Sequence, residues 1–355
     1  MVQLQPSGVE IQLKKLEKLG DKLIGMKDKI NWELFRDIIE KAIRKADYSK
    51  GGRPPWDVIL MFKIVILQQW YNLSDESVEF QINDRLSFQR FLGLKFGDRV
   101  PDKNTIWDFK EALKDSQINT QINRGLFDLF NDYLKEKGVI TNNGSIIDAT
   151  FVTADKRHTT KKDDKSLKEG DCPHDLHEKC AERIESGEIK DDEHVFNQMD
   201  FDARWAKKGS ESFFGYKDHV KCDKDSKIIT DFTVTDASVH DSQELINLVD
   251  EGDTSIDLDA GYTGKEIKKE ILENFPDVEL NICARAYRNH PLTDEEKAIN
   301  RIISTRRCRI EHIFGYMTRF MGGLILRCHG IKRAYRDICH KNLAYNLKRF
   351  VCIAG

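Results

Sequence analysis

Long apolar runs are missing from this sequence. The longest, residues 58–67, is interrupted by Lys63 and is too short to span a bilayer, so no membrane partner is expected. A disulfide framework is missing too. The eight cysteines are scattered and follow no secretory leader, so reduced thiols in the cytoplasm are expected. Global charge bias is slight, at −3 over 355 residues, and does not by itself announce a polyanionic partner. Zinc spacing is also wanting. Cys172, His174, His177 and Cys180 supply four possible ligands, but their spacing matches no common zinc module, and incidental polar residues are the plainer reading.

What is present changes rhythm near residue 140. Before it, helical spacing recurs at 32–46, 56–71, 87–92 and 118–137, with Ser74 placed to cap a helix through Asn83. Asn104 or Thr105 is placed to cap another, and Gly138 to end the last. The expectation is a polar arm over 1–29 and an all-helical domain over 30–138, suited to binding DNA ends or to dimerisation. From Gly144 the period becomes that of strands. A first strand over 144–153 precedes a hairpin of 213–222 with 228–234, and further strands are expected at 254–259 and 278–284. Asp241 is placed to cap a short helix, and a long helix is expected to open at Thr293. The fold class is therefore α/β, a mixed five-stranded sheet over 139–355 preceded by helices. Residues 155–210 are dense in Lys, Asp and Glu and read as a charged insertion carrying at most a short helix.

Acids fall at telling places. Asp148 lies in the first strand, where a carboxylate must be paired, desolvated or bound to a cation. Asp259 closes the fourth strand beside Gly261, and Asp257 is its rival two residues earlier. Glu311 lies on the long helix, one turn after Arg307, among an apolar stripe of Ile299, Ile302, Ile303, Ile310, Phe314 and Met317. Each has a bland reading: a structural strand Asp, or a solvated i,i+4 ion pair. Between residues 301 and 349 stand twelve Lys/Arg against two acids, a net +10, so this end reads as a polyanion-facing surface. Carboxylates near such a surface have one use in common: they can hold two Mg²⁺ ions, roughly 4 Å apart, at a phosphodiester.

Taken in order, several blocks resemble bacterial DDE transposases of the insertion-sequence IS5 group. They are Ile147-Asp148-Ala149-Thr150, Phe214-Gly215-Tyr216-Lys217-Asp218-His219, Val234 to Ser242, Asp259-Ala260-Gly261-Tyr262, and Arg307-x-x-x-Glu311. The stretches around Gly52-Arg53-Pro54-Pro55-Trp56, Asn83 to Leu94 and Pro101 to Trp107 are similar to that group's N-terminal domain. The resemblance implies an RNase H-like core, Mg²⁺ (with Mn²⁺ as a substitute), and Asp148, Asp259 and Glu311 as the catalytic, metal-binding triad. It selects Asp259 over Asp257. It also implies double-stranded DNA as partner, both terminal inverted repeats and target, a homodimer in the active complex, and a nucleoid-associated enzyme with no small-molecule substrate. Ser304 and Thr318 stand where the group's last block often has Tyr and Lys, with Arg319 next to Thr318.

Arg307, Arg319 and Lys217 are the candidate DNA contacts, Lys217 having a solvated strand lysine as its plainer reading. His219 and His240 are expected to be structural. A DNA-binding descendant without catalysis and a nuclease without strand transfer are the alternative functions.

Overall fold

The computed structural model describes residues 8–43, 55–113, 120–154, 159, 164–166, 169, 199–288 and 291–355. Two compact units divide it: Met1–Ile140 with Arg319–Gly322 and Cys339–Gly355, and Thr141–Thr318 with Gly323–Ile338.

The first unit is helical. Its elements are α1 (Gly8–Lys18), α2 (Lys22–Lys29), α3 (Arg36–Ala42), α4 (Val58–Tyr71), α5 (Asp75–Asp84), α6 (Leu86–Leu92), α7 (Lys103–Ala112) and α8 (Thr120–Glu136). The expected arm is thus a pair of helices, and Leu23 and Met26 of α2 are buried. Helix α4 carries the apolar run and is buried on nearly every side, from Met61 and Phe62 to Leu67 and Trp70, as an all-round apolar helix must be. Around it Trp32, Phe35, Phe62 and Phe91 pack ring against ring at centroid separations of 5.1 to 6.4 Å. The side chain of Ser74 caps α5 as expected. Asp102, not Asn104 or Thr105, caps α7 by accepting from Thr105 N at 2.8 Å; its carboxylate outcompetes the two neutral candidates.

The final helix, α12 (Ile331–Ile353), contributes Cys339 onward to this unit instead of lying wholly with 139–355. Trp70 Nε1 donates to Ala344 O at 2.7 Å, and Phe350 packs edge-on to Phe130. Burial of those apolar groups explains the assignment.

Among the described residues the second unit is built on a sheet of seven strands, where five were expected: β1 (Ser145–Ala154), β2 (Arg204–Lys208), β3 (Glu211–Asp223), β4 (Ile229–Asp236), β5 (Ser255–Leu258), β6 (Glu279–Ile282) and β7 (Ile325–Leu326). The order is β2-β3-β1-β5-β6, with β4 also on β3 and β7 also on β1. Strands β1, β3 and β4 are antiparallel neighbours, while β5 and β6 run parallel to β1.

Strand β2 lies inside the expected insertion and was hidden by its charge, since an edge strand needs few apolar residues. It is tied down by Asp200, 1% exposed, which accepts from Tyr216 Oη at 2.8 and 2.9 Å and from Gly330 N at 3.2 Å. At Gly215 (φ +152°) β3 passes so close to β1 that a Cβ would collide with the Val152 carbonyl oxygen.

One sheet face packs Ile147, Ile256 and Leu258 against Leu245 and Leu248 of α9 (Leu245–Leu248) and Ile271 of α10 (Lys265–Asn274). The long helix α11 (Asp294–Phe320) starts in a capping box: Thr293 Oγ1 accepts from Glu296 N while Glu296 accepts from Thr293 N. It buries Ile303, Ile310, Ile313 and Met317. Ile299 and Ile302, expected in that stripe, are 55% and 54% exposed.

Candidate active site

Strand register brings the first two acids abreast. Ile146 on β1 pairs in parallel with Asp257 on β5, so two residues further along Asp148 lies beside Asp259. On that side β1 is paired at 145–146 by β5 and again only at 153–154 by β7. Asp148 stands in the gap between, where the ladder leaves room for side chains to converge, at the carboxyl end of β5.

Each carboxylate is held by its own backbone. Asp148 Oδ1 accepts from Ala149 N at 2.8 Å. Asp259 caps the short turn Ala260–Tyr262 and accepts from Gly261 N. A Cβ on Gly261 would come within 2.9 Å of Asp259 Oδ1, so a larger residue there would push the carboxylate aside. The two are joined through α11: Arg307 Nη2 lies 2.8 Å from Asp148 Oδ2 and 3.9 Å from Asp259 Oδ2. Burial pushes the Asp148 carboxyl above the usual range, against the pull of Arg307, and Lys208 at the tip of the β2–β3 hairpin adds a smaller downward influence. Beneath them Tyr262 is buried, its phenol pushed up by burial and then by the charges of Asp148, Asp241 and Asp259.

Asp257 is a different kind of residue. It is 1% exposed, neither oxygen has a hydrogen-bond partner, and its nearest cations are Arg306 at 3.5 Å and Lys224 at 3.9 Å. Burial pushes its carboxyl up. Asp259, with 44% of its side chain exposed, faces Arg307 and solvent.

Glu311 is exposed, one turn beyond Arg307. Among the described residues no three His, Cys, Asp or Glu side chains gather closely enough to hold a metal ion. The structure therefore brings Asp148 and Asp259 together and leaves Glu311 outside the pair. Between the aspartates stands Arg307, whose guanidinium is the counter-ion to both. As a donor set the two aspartates offer hard oxygen ligands of the kind Mg²⁺ takes with water and phosphate completing its shell.

Other expectations change. Lys217 is neither solvated nor free to meet phosphate: it is 8% exposed, donates to Val239 O at 2.6 Å, and pairs with Asp241 at 2.8 Å. Asp241 is thus an ion-pair partner, and His240 caps the short turn Asp241–Glu244, with Nδ1 accepting from Ser242 N. His219 is fully buried against Thr235 Oγ1 at 2.9 Å, and burial lowers its pKa to about 4. Arg319 is exposed. The +10 region is not one surface. Arg307 turns to Asp148, Arg309 bonds Lys224 O, and Arg336 pairs with Asp337 at 2.8 Å. Lys341 is buried on the carbonyls of Gln69 and Met321.

Sequence reasoning gave no role to Tyr262, although it closes the Asp259-Ala260-Gly261-Tyr262 block, or to Lys208, which the charged insertion concealed. Cys172, His174, His177 and Cys180 lie outside the described residues.

Comparison with known proteins gives two family matches. Residues 11–112 match a model described as a transposase domain (DUF772), and residues 141–347 match the transposase DDE domain. Among solved structures, the chain is similar to a cryo-EM structure of the piggyBac transposase synaptic complex with hairpin DNA. That match has 12% identity and a TM-score of 0.49, covering 91% of this chain and 74% of that one.

Proposed function

This chain belongs to the family of the transposase DDE domain, and from that premise we propose that it cuts DNA at its element's terminal inverted repeats and joins the freed 3′ ends to target DNA. It is a DDE-type DNA transposase with a helical N-terminal region and an RNase H-like core. The observation that carries the reading is the pairing of Asp148 and Asp259 on neighbouring strands around one guanidinium.

In this reading Asp148 and Asp259 hold Mg²⁺ or Mn²⁺, and Glu311 supplies the third carboxylate. A bound divalent ion would contribute Lewis acidity at the scissile phosphate and help ionise the attacking hydroxyl or water. The chain does the positioning. Ala149 N fixes one oxygen of Asp148 and leaves the other directed at Arg307, and the Gly261 turn fixes Asp259. Arg307 then serves as counter-ion, and Arg319 as a phosphate contact. Membership of the IS5 group, a homodimeric end complex, and a cytoplasmic, nucleoid-associated location belong to the same reading. Among the described residues no helix is long and apolar enough to cross a membrane.

Cleavage and joining of the DNA ends that flank the gene test this directly. Asp148→Ala, Asp259→Ala and Glu311→Gln should each abolish both reactions in Mg²⁺ while duplex binding survives, and Asp257→Asn should keep them. Full joining by any of the first three refutes the assignment of that residue. The exposed place of Glu311 and the Thr318 hydroxyl, spent on Phe314 O at 2.8 Å, favour a second reading: a catalytically impaired DNA-binding descendant. Binding without cleavage by the unmodified protein in both Mg²⁺ and Mn²⁺ would select it.

A further inference from the structure

The chain leaves β6 at the level of the paired aspartates. Cys283 N donates to Leu258 O at 3.2 Å, one residue before Asp259. The next residue is clamped to α11: Asn300 accepts from Ala284 N and donates to Ala284 O, each at 2.8 Å. Beyond this two-point anchor Arg285, Tyr287 and Arg288 are all exposed, Tyr287 by 62%. None of these three side chains makes a hydrogen bond, ion pair or ring contact with the rest of the described chain. Tyr287 is four residues past Cys283, so the loop stays within about 14 Å of that point.

An anchored loop that presents two unneutralised guanidinium groups and one solvated ring suits a partner with phosphates and open π faces. A duplex offers phosphates but hides its base faces in the stack. A single strand offers both, and base–aromatic stacking tolerates any sequence. We propose that Arg285, Tyr287 and Arg288 form a subsite that grips a single DNA strand beside the paired aspartates. This rests on the DNA-cutting reading above, since a cut there frees a strand end next to this loop. The arginines hold the backbone, and Tyr287 stacks on an unpaired base.

Fluorescence anisotropy with a labelled 20-nucleotide strand, and with the same strand annealed to its complement, tests the proposal across a salt series. Arg285→Ala with Arg288→Ala should lower the slope of log affinity against log salt for the single strand by about 1.4, roughly 0.7 for each phosphate that is no longer neutralised. Tyr287→Ala should weaken single-strand binding at least about fivefold and leave duplex binding nearly unchanged, while Tyr287→Phe retains the affinity. These residues are exposed, so folding should survive, and a thermal melt checks it. If the unmodified protein binds DNA and the variants match it in affinity and slope, the subsite is refuted while the proposed function stands. If the unmodified protein binds neither form, both fall.

Discussion

Removing Arg307 should tighten divalent-cation binding rather than loosen it. The guanidinium is 2.8 Å from Asp148 and 3.9 Å from Asp259, so on the proposed metal-holding role of the two aspartates an incoming cation must displace a positive charge from their oxygens. A unit charge about 4 Å from an opposite one is worth roughly 4 kcal/mol at an effective dielectric constant near 20. Solvent reaches 21% of the Asp148 side chain and 44% of Asp259, which screens that figure to about 1–2 kcal/mol. The expected gain in Mn²⁺ affinity for Arg307→Ala is then roughly five- to thirtyfold. Arg307→Lys keeps the charge and should stay near the unmodified protein, and Asp148→Asn should lose affinity. Titration of free Mn²⁺ by electron paramagnetic resonance, without DNA and at fixed ionic strength, reads this directly. Unchanged or weaker binding by a folded Arg307→Ala protein would show that the guanidinium is not competing with the cation.

Two further outcomes follow from buried polar groups. His219 has a folded pKa of about 4 against an ordinary 6.5, so the unfolded chain takes up the proton first. The neutral ring's contribution is complete above pH 6.5 and is lost as pH falls towards 4, by up to about 3 kcal/mol. Urea unfolding at pH 7.5, 5.5 and 4.5 should show His219→Phe closing its stability gap to the unmodified protein as pH falls; a constant gap contradicts this. Asp200→Ala strands the buried Tyr216 hydroxyl and the Gly330 N–H and should cost about 3–5 kcal/mol. Asp200→Asn, which retains one oxygen, should cost clearly less in the same unfolding assay.

Much of the architecture was legible because it is written locally. The change from helical to alternating periodicity, the Ser74 cap, the helix start at Thr293 and the hairpin turn after Asp223 all lie within a few residues of the element they define. Strand β2 was not legible, because its pairing partner and the Asp200 anchor lie outside its own five residues. Nor was the fate of the basic C-terminal stretch. Counting charges there suggested one face, but a helix distributes successive side chains around its axis, and burial claimed Arg336 and Lys341.

By itself the sequence marked the candidate residues and the elements that carry them: Asp148 in a strand, Asp259 at a strand's end, Arg307 and Glu311 one turn apart on a helix. Only the tertiary structure decided their company. The parallel register of β1 and β5 sets Asp148 beside Asp259 across more than a hundred residues of chain, Asp257 is buried beside Arg306 and Lys224 instead, and the path of α11 delivers Arg307, not Glu311, into the gap. Periodicity and capping act through neighbours in the chain, whereas register and helix packing are settled by contacts that exist only once the chain has folded.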